Sequence, residues 1–556
     1  MTPLARWLAL PLVLLVACSR GTASPNDDEP NGSAGGGAAA TSGGTGATSA
    51  TAGGTGGIGT GGVIDLPPLE NDTSSGVFVH LFEWRWSDIA RECETFLGPQ
   101  GFTAVQISPP SEHAVLAGNS YPWWQRYQTV SYALESRSGS RAELLDMLAR
   151  CRQAGVGIYV DAVLNHMTGQ NSGTGSAGTK FTKYSYPGLF EQADFHAPVC
   201  QIQGADYSES AERVQSCELL GLSDLDTGSE SVQAKLAAYL SELLALGVRG
   251  FRIDAAKHMA PADLAGVLAK VTPRPDEQPY YFLEVIDHGG EAVHSSDYLD
   301  VASGVEVDVT EFRYKWVGDA FLGRGGVKLS TLAQLEATTA DFLSGERAVV
   351  FVNNHDTQRG DAIFYQDGAA HDLANVFMLA WPYGYPSVMS SFGFDRGTDA
   401  GLAMGPPSSQ PGQTDPVYAP SGDEPACAAG PFDATTRGFI CEHRQRHVAG
   451  MVAFRKETAG AAVSNVWHNE ANQLAFAREG RGFVAINHEA AALEQTLATG
   501  LPAGQYCDVL SGDYTPGAGT APPACTGNVL TVSDDGSAAL VVPSETAVAV
   551  HVGARL

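Results

Sequence analysis

The chain is short of positive charge. Against 62 acidic residues it carries 33 Lys and Arg, for a formal net charge of −29. That balance excludes nucleic acid as a partner, because phosphate backbones are held by clustered cations. It fits the solubility of an exported protein and would leave a neutral polysaccharide indifferent. No Cys-x-x-Cys occurs, which argues against structural zinc and dithiol redox chemistry. No His-Glu-x-x-His occurs either, so the histidines do not read as a transition-metal site. The N-terminal apolar run, Trp7–Val16, is too short to span a bilayer. Residues 20 to about 65 almost lack large apolar side chains, and such a Gly/Ser/Thr/Ala segment cannot bury enough surface to fold.

What is present at the start reads as export. Arg6 supplies the positive end of a signal segment. The run Leu15-Val16-Ala17-Cys18 resembles a bacterial lipobox, which predicts a signal peptide over 1–18 with Cys18 lipidated. Ser19, where an Asp is absent, points by the same resemblance to the outer membrane. A flexible linker over 19–72 follows. The expectation is a protein anchored at the cell surface or outer membrane, or released from it, whose one link to a membrane is the lipid. Beyond Cys18 eight cysteines remain, an even number, falling in four sequence-local couples. That suits an oxidising compartment, and spacing alone leaves their connectivity open.

From Gly76 the texture changes. Short apolar runs predict strands at 77–82, 101–108, 157–163, 249–254, 280–286, 304–312, 348–352 and 387–391. Helical spacing separates them at Trp86–Leu97, Arg141–Ala154, Ser231–Leu246, Ala262–Val271, Leu332–Leu343 and Ala370–Leu379. Ser140 fits an N-cap and Gly155 a stop. Eight strands alternating with helices predict an α/β fold, a (β/α)8 TIM barrel over 73–460. The stretch 165–226, rich in Gly, Ser, Tyr and Asp, breaks that rhythm and predicts a small inserted domain after the third strand. After about 461 the period drops to two, with a hairpin over 473–487 turning near Gly480. A C-terminal all-β sandwich domain is expected over 461–556, without chemistry of its own.

Four predicted strand ends carry acids: Asp161, Asp254, Glu284 and Asp356, with His166, His258, His288 and His355 close by. Barrel closure would gather them at one mouth. Glycoside hydrolysis needs two carboxyl groups in different protonation states, and crowded negative charge raises the acid's pKa. Asp254 reads as a nucleophile, or as a structural acid paired with Arg252 or Lys257. The loop Tyr121-Pro-Trp-Trp-Gln-Arg-Tyr127 offers Trp123, Trp124 and Tyr127 for stacking on pyranose rings, or as core aromatics. Oxygen donors at Asn165, Asp224 and Asp226 suit calcium.

Five ordered motifs sharpen this: His80-Leu-Phe-Glu-Trp-Arg-Trp86, Asp161-Ala-Val-Leu-Asn-His166, Gly250-Phe-Arg-Ile-Asp-Ala-Ala-Lys-His258, Glu284-Val-Ile-Asp287 and Asn354-His-Asp-Thr-Gln-Arg-Gly360. They resemble the animal-type α-amylases, a branch also found in bacteria. The likeness runs from about residue 73 to the C-terminus and includes Leu501-Pro-Ala-Gly-Gln-Tyr-Cys507. It implies endo-hydrolysis of α-1,4-glucosidic bonds in starch and glycogen with retention of configuration. It implies Asp254 as nucleophile, Glu284 as general acid/base and Asp356 as transition-state stabiliser. Substrate would be held by Trp123, Trp124, Tyr127, Gln128, Asp161, His166, Arg252, Lys257, His258, Glu291 and His355. Calcium would be bound by Asn165, Asp224 and the main-chain carbonyl of His258, with Gln215 at a further carbonyl position. The cysteine couples match family disulfides, Cys93–Cys151, Cys200–Cys217, Cys427–Cys441 and Cys507–Cys525, and a monomer is expected.

The sequence also departs from that family. Its members commonly bind an activating chloride between two arginines and an asparagine. Arg252 and Asn354 match, but Ser387 stands where the second arginine is expected, so weak anion binding and no chloride dependence are expected. The glycine-rich mobile loop after the seventh-strand motif is missing, with Asp361-Ala-Ile-Phe-Tyr365 near its place. Asn353 replaces an acid often found there. The same scaffold also serves transglycosylases and non-catalytic starch-binding surface proteins.

Overall fold

The computed structural model describes Leu69 and residues 73–556, except 276, 302–306, 336–340 and 420–421. The signal segment, Cys18 and nearly all of the linker lie outside the described residues.

Eight parallel strands close a barrel in sequence order. They are β1 (Phe78–Leu81), β2 (Ala104–Ile107), β3 (Gly157–Val163), β4 (Gly250–Asp254), β5 (Tyr280–Leu283), β6 (Val307–Thr310), β7 (Ala348–Val350) and β8 (Tyr385–Ser390). Side chains alternate sides along a strand, and here both sides are buried. One side packs under the helices. The other fills the barrel with a floor of Phe78, Ala104, Tyr159, Tyr280, Phe282, Val349 and Tyr385. Gly250 faces this floor because nothing larger fits: a Cβ there would lie 2.5 Å from the Tyr280 carbonyl oxygen. Two residues farther along, the same inward positions hold His80, Gln106, Asp161 and Arg252, and the character of the interior changes.

The helices follow local rules. In α2 (Arg141–Gln153), Ser140 and Glu143 form a capping box. It ends at Gly155 in the left-handed region (φ 79), with Val156 N–H donating to the Cys151 carbonyl at 2.9 Å. Helix α3 (Glu230–Leu246) ends the same way, at Gly247 (φ 112) with Val248 N–H on the Leu243 carbonyl at 3.1 Å. Both caps deliver the chain directly into a barrel strand. The first predicted helix departs from a plain α-helix. Helix α1 (Trp86–Glu92) becomes a π turn at Cys93–Leu97. Pro99 has no N–H for a normal bond to the carbonyl four residues back.

Some expected bounds shift. Glu284 N–H still donates to the Ile253 carbonyl at 3.0 Å, but the fifth strand stops at Leu283 because the next amide on the β6 side, Val285 N–H, is taken by the Thr310 hydroxyl at 3.1 Å. A short turn, Leu329–Leu332, precedes the helix expected over Leu332–Leu343; Leu335 is helical, and residues 336–340 lie outside the described residues. Helix α4 (Pro261–Leu268) starts on a proline at its first position. Between β3 and α3, the stretch 165–226 forms short strands and turns around Phe181, Tyr186, Phe190 and Phe195. A two-residue ladder, His166–Met167 with Ser223–Asp224, closes its base. All four cysteine couples form disulfides in the pairing the resemblance implies.

After β7 and β8 run α5 (Ala369–Ala380) and α6 (Arg446–Glu457), which pack on each other. The C-terminal part is all β. Strands β9 (Val463–His468), β10 (Gln473–Arg478) and β11 (Gly482–Asn487) pair with β14 (Thr546–His551) in one antiparallel sheet. Strands β12 (Leu493–Ala498) and β13 (Ser537–Val542) form a second ladder, and β13 alternates buried and exposed positions. This region has its own apolar core, including Phe483, Leu493, Tyr506 and Val550. It is fastened to the barrel through Arg478, whose Nη1 donates to the Ala380 carbonyl at 2.7 Å, and Phe476, whose ring meets Trp381 at 5.0 Å.

Candidate active site

The mouth of the barrel is organised around one guanidinium. Arg252 is buried, and its Nη1 contacts Asp161 Oδ1 at 2.5 Å and Asp254 Oδ1 at 2.9 Å. Its Nη2 contacts Glu284 Oε1 at 2.5 Å. Asp254 and Glu284 thus sit within the span of one guanidinium. Ala255 follows Asp254 in the left-handed region (φ 50), a conformation that costs a non-glycine residue about 1 kcal/mol. That turn aims the Ala255 N–H at Glu284 Oε2, 2.8 Å away. Local strain beside the acid therefore fixes the second acid.

Asp161 is held from its other side. Tyr127 Oη donates to Asp161 Oδ2 at 3.0 Å, and Gln106 Nε2 approaches the same oxygen at 3.4 Å. Asp356 lies just past β7, with His355 Nε2 3.2 Å from its Oδ2. The His355 ring stacks on Tyr127 at 5.3 Å, nearly parallel at 2°. Burial and the nearby Arg252 charge keep His355 well below the usual imidazole pKa, so it stays neutral.

The acids do not titrate as isolated groups. Burial raises Asp254 well above the carboxylate range, Arg252 opposes this, and the charges of Glu284 and Asp161 add to it. Burial also raises Asp161. Asp356 is pushed up to about 7 by burial and then by the Glu284 charge. Three carboxyl groups contact Arg252 and Asp356 lies beside them, so the shifts of Asp161, Asp254 and Asp356 are linked to one another. An ionised and a protonated carboxyl side by side is what glycoside cleavage requires.

Comparison with known proteins identifies the two main regions of the chain. A model of the α-amylase catalytic domain matches residues 99–280, and a model of the α-amylase C-terminal all-beta domain matches residues 464–553. An α-amylase of Tenebrio molitor is 42% identical over 494 residues, covering 86% of this chain and 97% of that protein. An α-amylase of Tribolium castaneum is 42% identical, covering 88% of this chain and 96% of that protein. The chain belongs to the α-amylase family. Among solved structures, a variant of α-amylase I from Eisenia fetida in complex with maltohexaose superposes at TM-score 0.77. It is 37% identical and covers 88% of this chain and 99% of that chain. The family activity is glycoside hydrolysis, and the acids described above stand at the mouth of its catalytic barrel.

The other expected site residues divide in two. Tyr127, His355 and Asp161 meet directly at the mouth. Trp123 does not offer a free face: its indole N–H donates to the Leu402 carbonyl at 2.9 Å, and the Arg359 guanidinium sits 4.6 Å from its ring centre. Trp124 and Tyr127 are the partly exposed rings of that turn. The turn is placed by Arg126, fully buried, which donates to the Pro109 carbonyl and pairs with Glu83 at 2.9 Å. Gln128 turns its carbonyl oxygen to the inserted segment, accepting from Thr168 Oγ1 at 2.7 Å and Gly169 N–H at 2.9 Å. Lys257 is paired with Glu291 and donates to the Ile286 carbonyl. His166 Nε2 faces the Tyr127 carbonyl at 3.1 Å, and His258 Nδ1 the Val214 carbonyl at 2.9 Å.

Two of the donors expected for calcium meet at the base of the inserted segment. Asn165 and Asp224 are buried side by side, with Asn165 Nδ2 3.4 Å from Asp224 Oδ1. Asn165 Oδ1 is buried with no hydrogen-bond partner among the described residues. A buried orphan oxygen beside a buried carboxylate fits a hard cation. The Gln215 side chain donates to Tyr298 Oη at 3.2 Å.

Arg252, Asn354 and Ser387 line one small cavity of about 20 Å³. Its single cation already faces three carboxylates. Asn353 directs its Oδ1 to His371 Nε2 at 3.2 Å. Where a glycine-rich loop was missed, Ala362, Ile363, Phe364 and Tyr365 are packed into the core.

Three residues at the mouth escaped the sequence reading: His80, Gln106 and Arg359. The first two stand two positions beyond the floor residues Phe78 and Ala104, so the period-two register would have placed them there. Arg359 gave no signal beyond its place in a quoted motif. Its role comes from rings distant in sequence, Trp123 and Phe394.

Proposed function

We propose that the chain cleaves internal α-1,4-glucosidic bonds of starch and related glucans by a retaining double displacement. The observation that carries this is the pairing of Asp254 and Glu284 on Arg252. In this reading Asp254 attacks the anomeric carbon while Glu284 gives its proton to the leaving oxygen. Glu284 then takes a proton from water, and that water releases the sugar from Asp254. Arg252 keeps Asp254 oriented and lowers the cost of its charge. Asp356, with His355 beside it, faces the developing positive charge at the sugar ring. Tyr127 and Trp124 supply the accessible aromatic faces. The maltohexaose bound by the Eisenia fetida protein supports a glucan as substrate.

Calcium fits Asn165 and Asp224, with the His258 carbonyl and Gln215 completing the oxygen set. Bound there, it would tie the inserted segment to the end of β3. Chloride dependence is not expected with Ser387 beside a single engaged arginine. A monomer divided as barrel, inserted segment and C-terminal β region is the simplest organisation. Four disulfides support export. Anchoring through Cys18 rests on the sequence alone. The assembled acids disfavour a purely starch-binding role.

The test is product stereochemistry. Protein lacking residues 1–65, supplied with soluble starch, should release reducing sugar whose first-formed anomer, read by NMR, is α. A β-anomer would overturn the double displacement, and no release would overturn the activity.

A further inference from the structure

A second cluster of ligand-bearing side chains lies away from the acids, on the outer helices. His371 and Asp372 belong to the first turn of α5, and His447 to the first turn of α6. Asp372 Oδ1 lies 3.9 Å from His371 Nδ1 and 3.4 Å from His447 Nε2, and the three donor atoms lie within 4.8 Å of one another. An ion about 2.1 Å from each of three donors in a tetrahedral arrangement separates them by about 3.4 Å. The two distances to Asp372 are close to that, Asp372 is half-exposed and free to adjust, and small ring rotations would bring the two imidazole nitrogens to the same spacing.

The surroundings prepare both imidazoles. His371 is buried, and its Nε2 stands 3.2 Å from Asn353 Oδ1, an acceptor. Nε2 therefore lies between two amide side chains, and Nδ1 is turned towards Asp372. Asn375 Nδ2, also 3.2 Å from Nε2, donates to the His371 carbonyl at 3.0 Å. Such an outer partner, holding the ring in place, is typical of ligating histidines. His447 Nε2 is buried with no hydrogen-bond partner among the described residues. Asp372 also lines an open cleft of about 700 Å³ with Glu424, Arg444 and Gln445, which gives an ion a way in and leaves room for water as fourth ligand.

We propose that His371, Asp372 and His447 form a site for a divalent transition metal of the zinc type, separate from the calcium donors. Two imidazoles and one carboxylate suit zinc, whereas calcium takes six to eight oxygens. A metal there bridges the helix after β7 to the helix after β8 and so clamps the last two units of the barrel. Its role is structural.

The test uses the full chain with calcium saturating throughout, titrated with zinc chloride by calorimetry. One zinc ion per chain should bind, and Tm should rise by several degrees when zinc is in large excess over Kd. His447→Gln and Asp372→Asn, at partly exposed helix positions, should each weaken binding by at least about 100-fold. Asn353→Ser, acting through His371, should weaken it by about 10–100-fold. Unchanged binding in the first two variants, or no binding by the parent protein, overturns the site. Should a variant lose stability without zinc, anomalous diffraction from the zinc-soaked parent decides instead. A peak between the three side chains upholds the proposal, and its absence there defeats it.

Discussion

The floor and the mouth of the barrel are built from the same strands, two residues apart. At the floor Phe78, Tyr159, Phe282 and Tyr385 fill the interior with rings. At the mouth His80, Asp161, Arg252 and Asp254 replace them. Burying the rings stabilises the fold at roughly 25 cal/mol for each Å² of apolar surface removed from water. Burying the mouth works the other way, because each charged group loses water and is only partly repaid by its partner. The apolar layer beneath holds the polar layer in place. A cluster with four acids and one arginine could not hold itself together in a looser frame.

That contrast can be broken in stages. The largest effect is expected from Asp254→Asn. Activity on starch should fall by roughly 10⁴-fold or more, as when a covalent nucleophile is removed elsewhere. Tm should stay level or rise, since a mutually repelling buried charge is gone; a large fall in Tm with activity retained would reverse the assignment of this region. Phe78→Ala tests the floor. It should cost about 3–5 kcal/mol in denaturant unfolding, while kcat per folded molecule changes little. A kcat loss comparable to that of Asp254→Asn would mean that floor and mouth are not separable.

Calcium in the proposed site would touch neither layer but would pin the inserted segment beside the mouth. Removing it with a chelator should destabilise the protein by about 3 kcal/mol relative to a hundredfold excess over Kd. Asn165→Ala should shrink that difference, and an equal chelator response in the variant would place the ion elsewhere. The smallest effect concerns pH. Asp356 has a folded pKa of about 7, raised by burial and the Glu284 charge from an ordinary value of 3.8. Between those two values the native state holds a proton that the unfolded chain has lost, so stability falls as pH rises through that window. Asp356→Asn should flatten this part of the stability profile, measured by urea unfolding from about pH 4 to pH 7. An unaltered slope would show that the proton sits on another member of the cluster.

Much of the catalytic frame was legible because it is local. The capping box at Ser140 and Glu143, the glycine stops at 155 and 247 and the apolar runs before each acid are short-range signals. What local signals did not show depends on distant partners. The fifth strand ends early because the Thr310 hydroxyl takes the Val285 amide. Trp123 looked free to stack on sugar, yet Arg359 and the Leu402 carbonyl engage it. Lys257 and Glu291, each expected to meet substrate, are paired with each other.

By itself the sequence determined the strand–helix alternation, the acids at the strand ends and the switch to period two near residue 461. These follow from propensity, capping and periodicity, which act over a few residues. Tertiary structure alone decided which acids crowd around Arg252, which aromatic faces stay open and which histidines face each other across α5 and α6. Those properties depend on burial and on distances between side chains far apart in sequence. His371 and His447 show this most plainly: nothing near either one announces the other, and only the packing of two helices brings their nitrogens to one carboxylate.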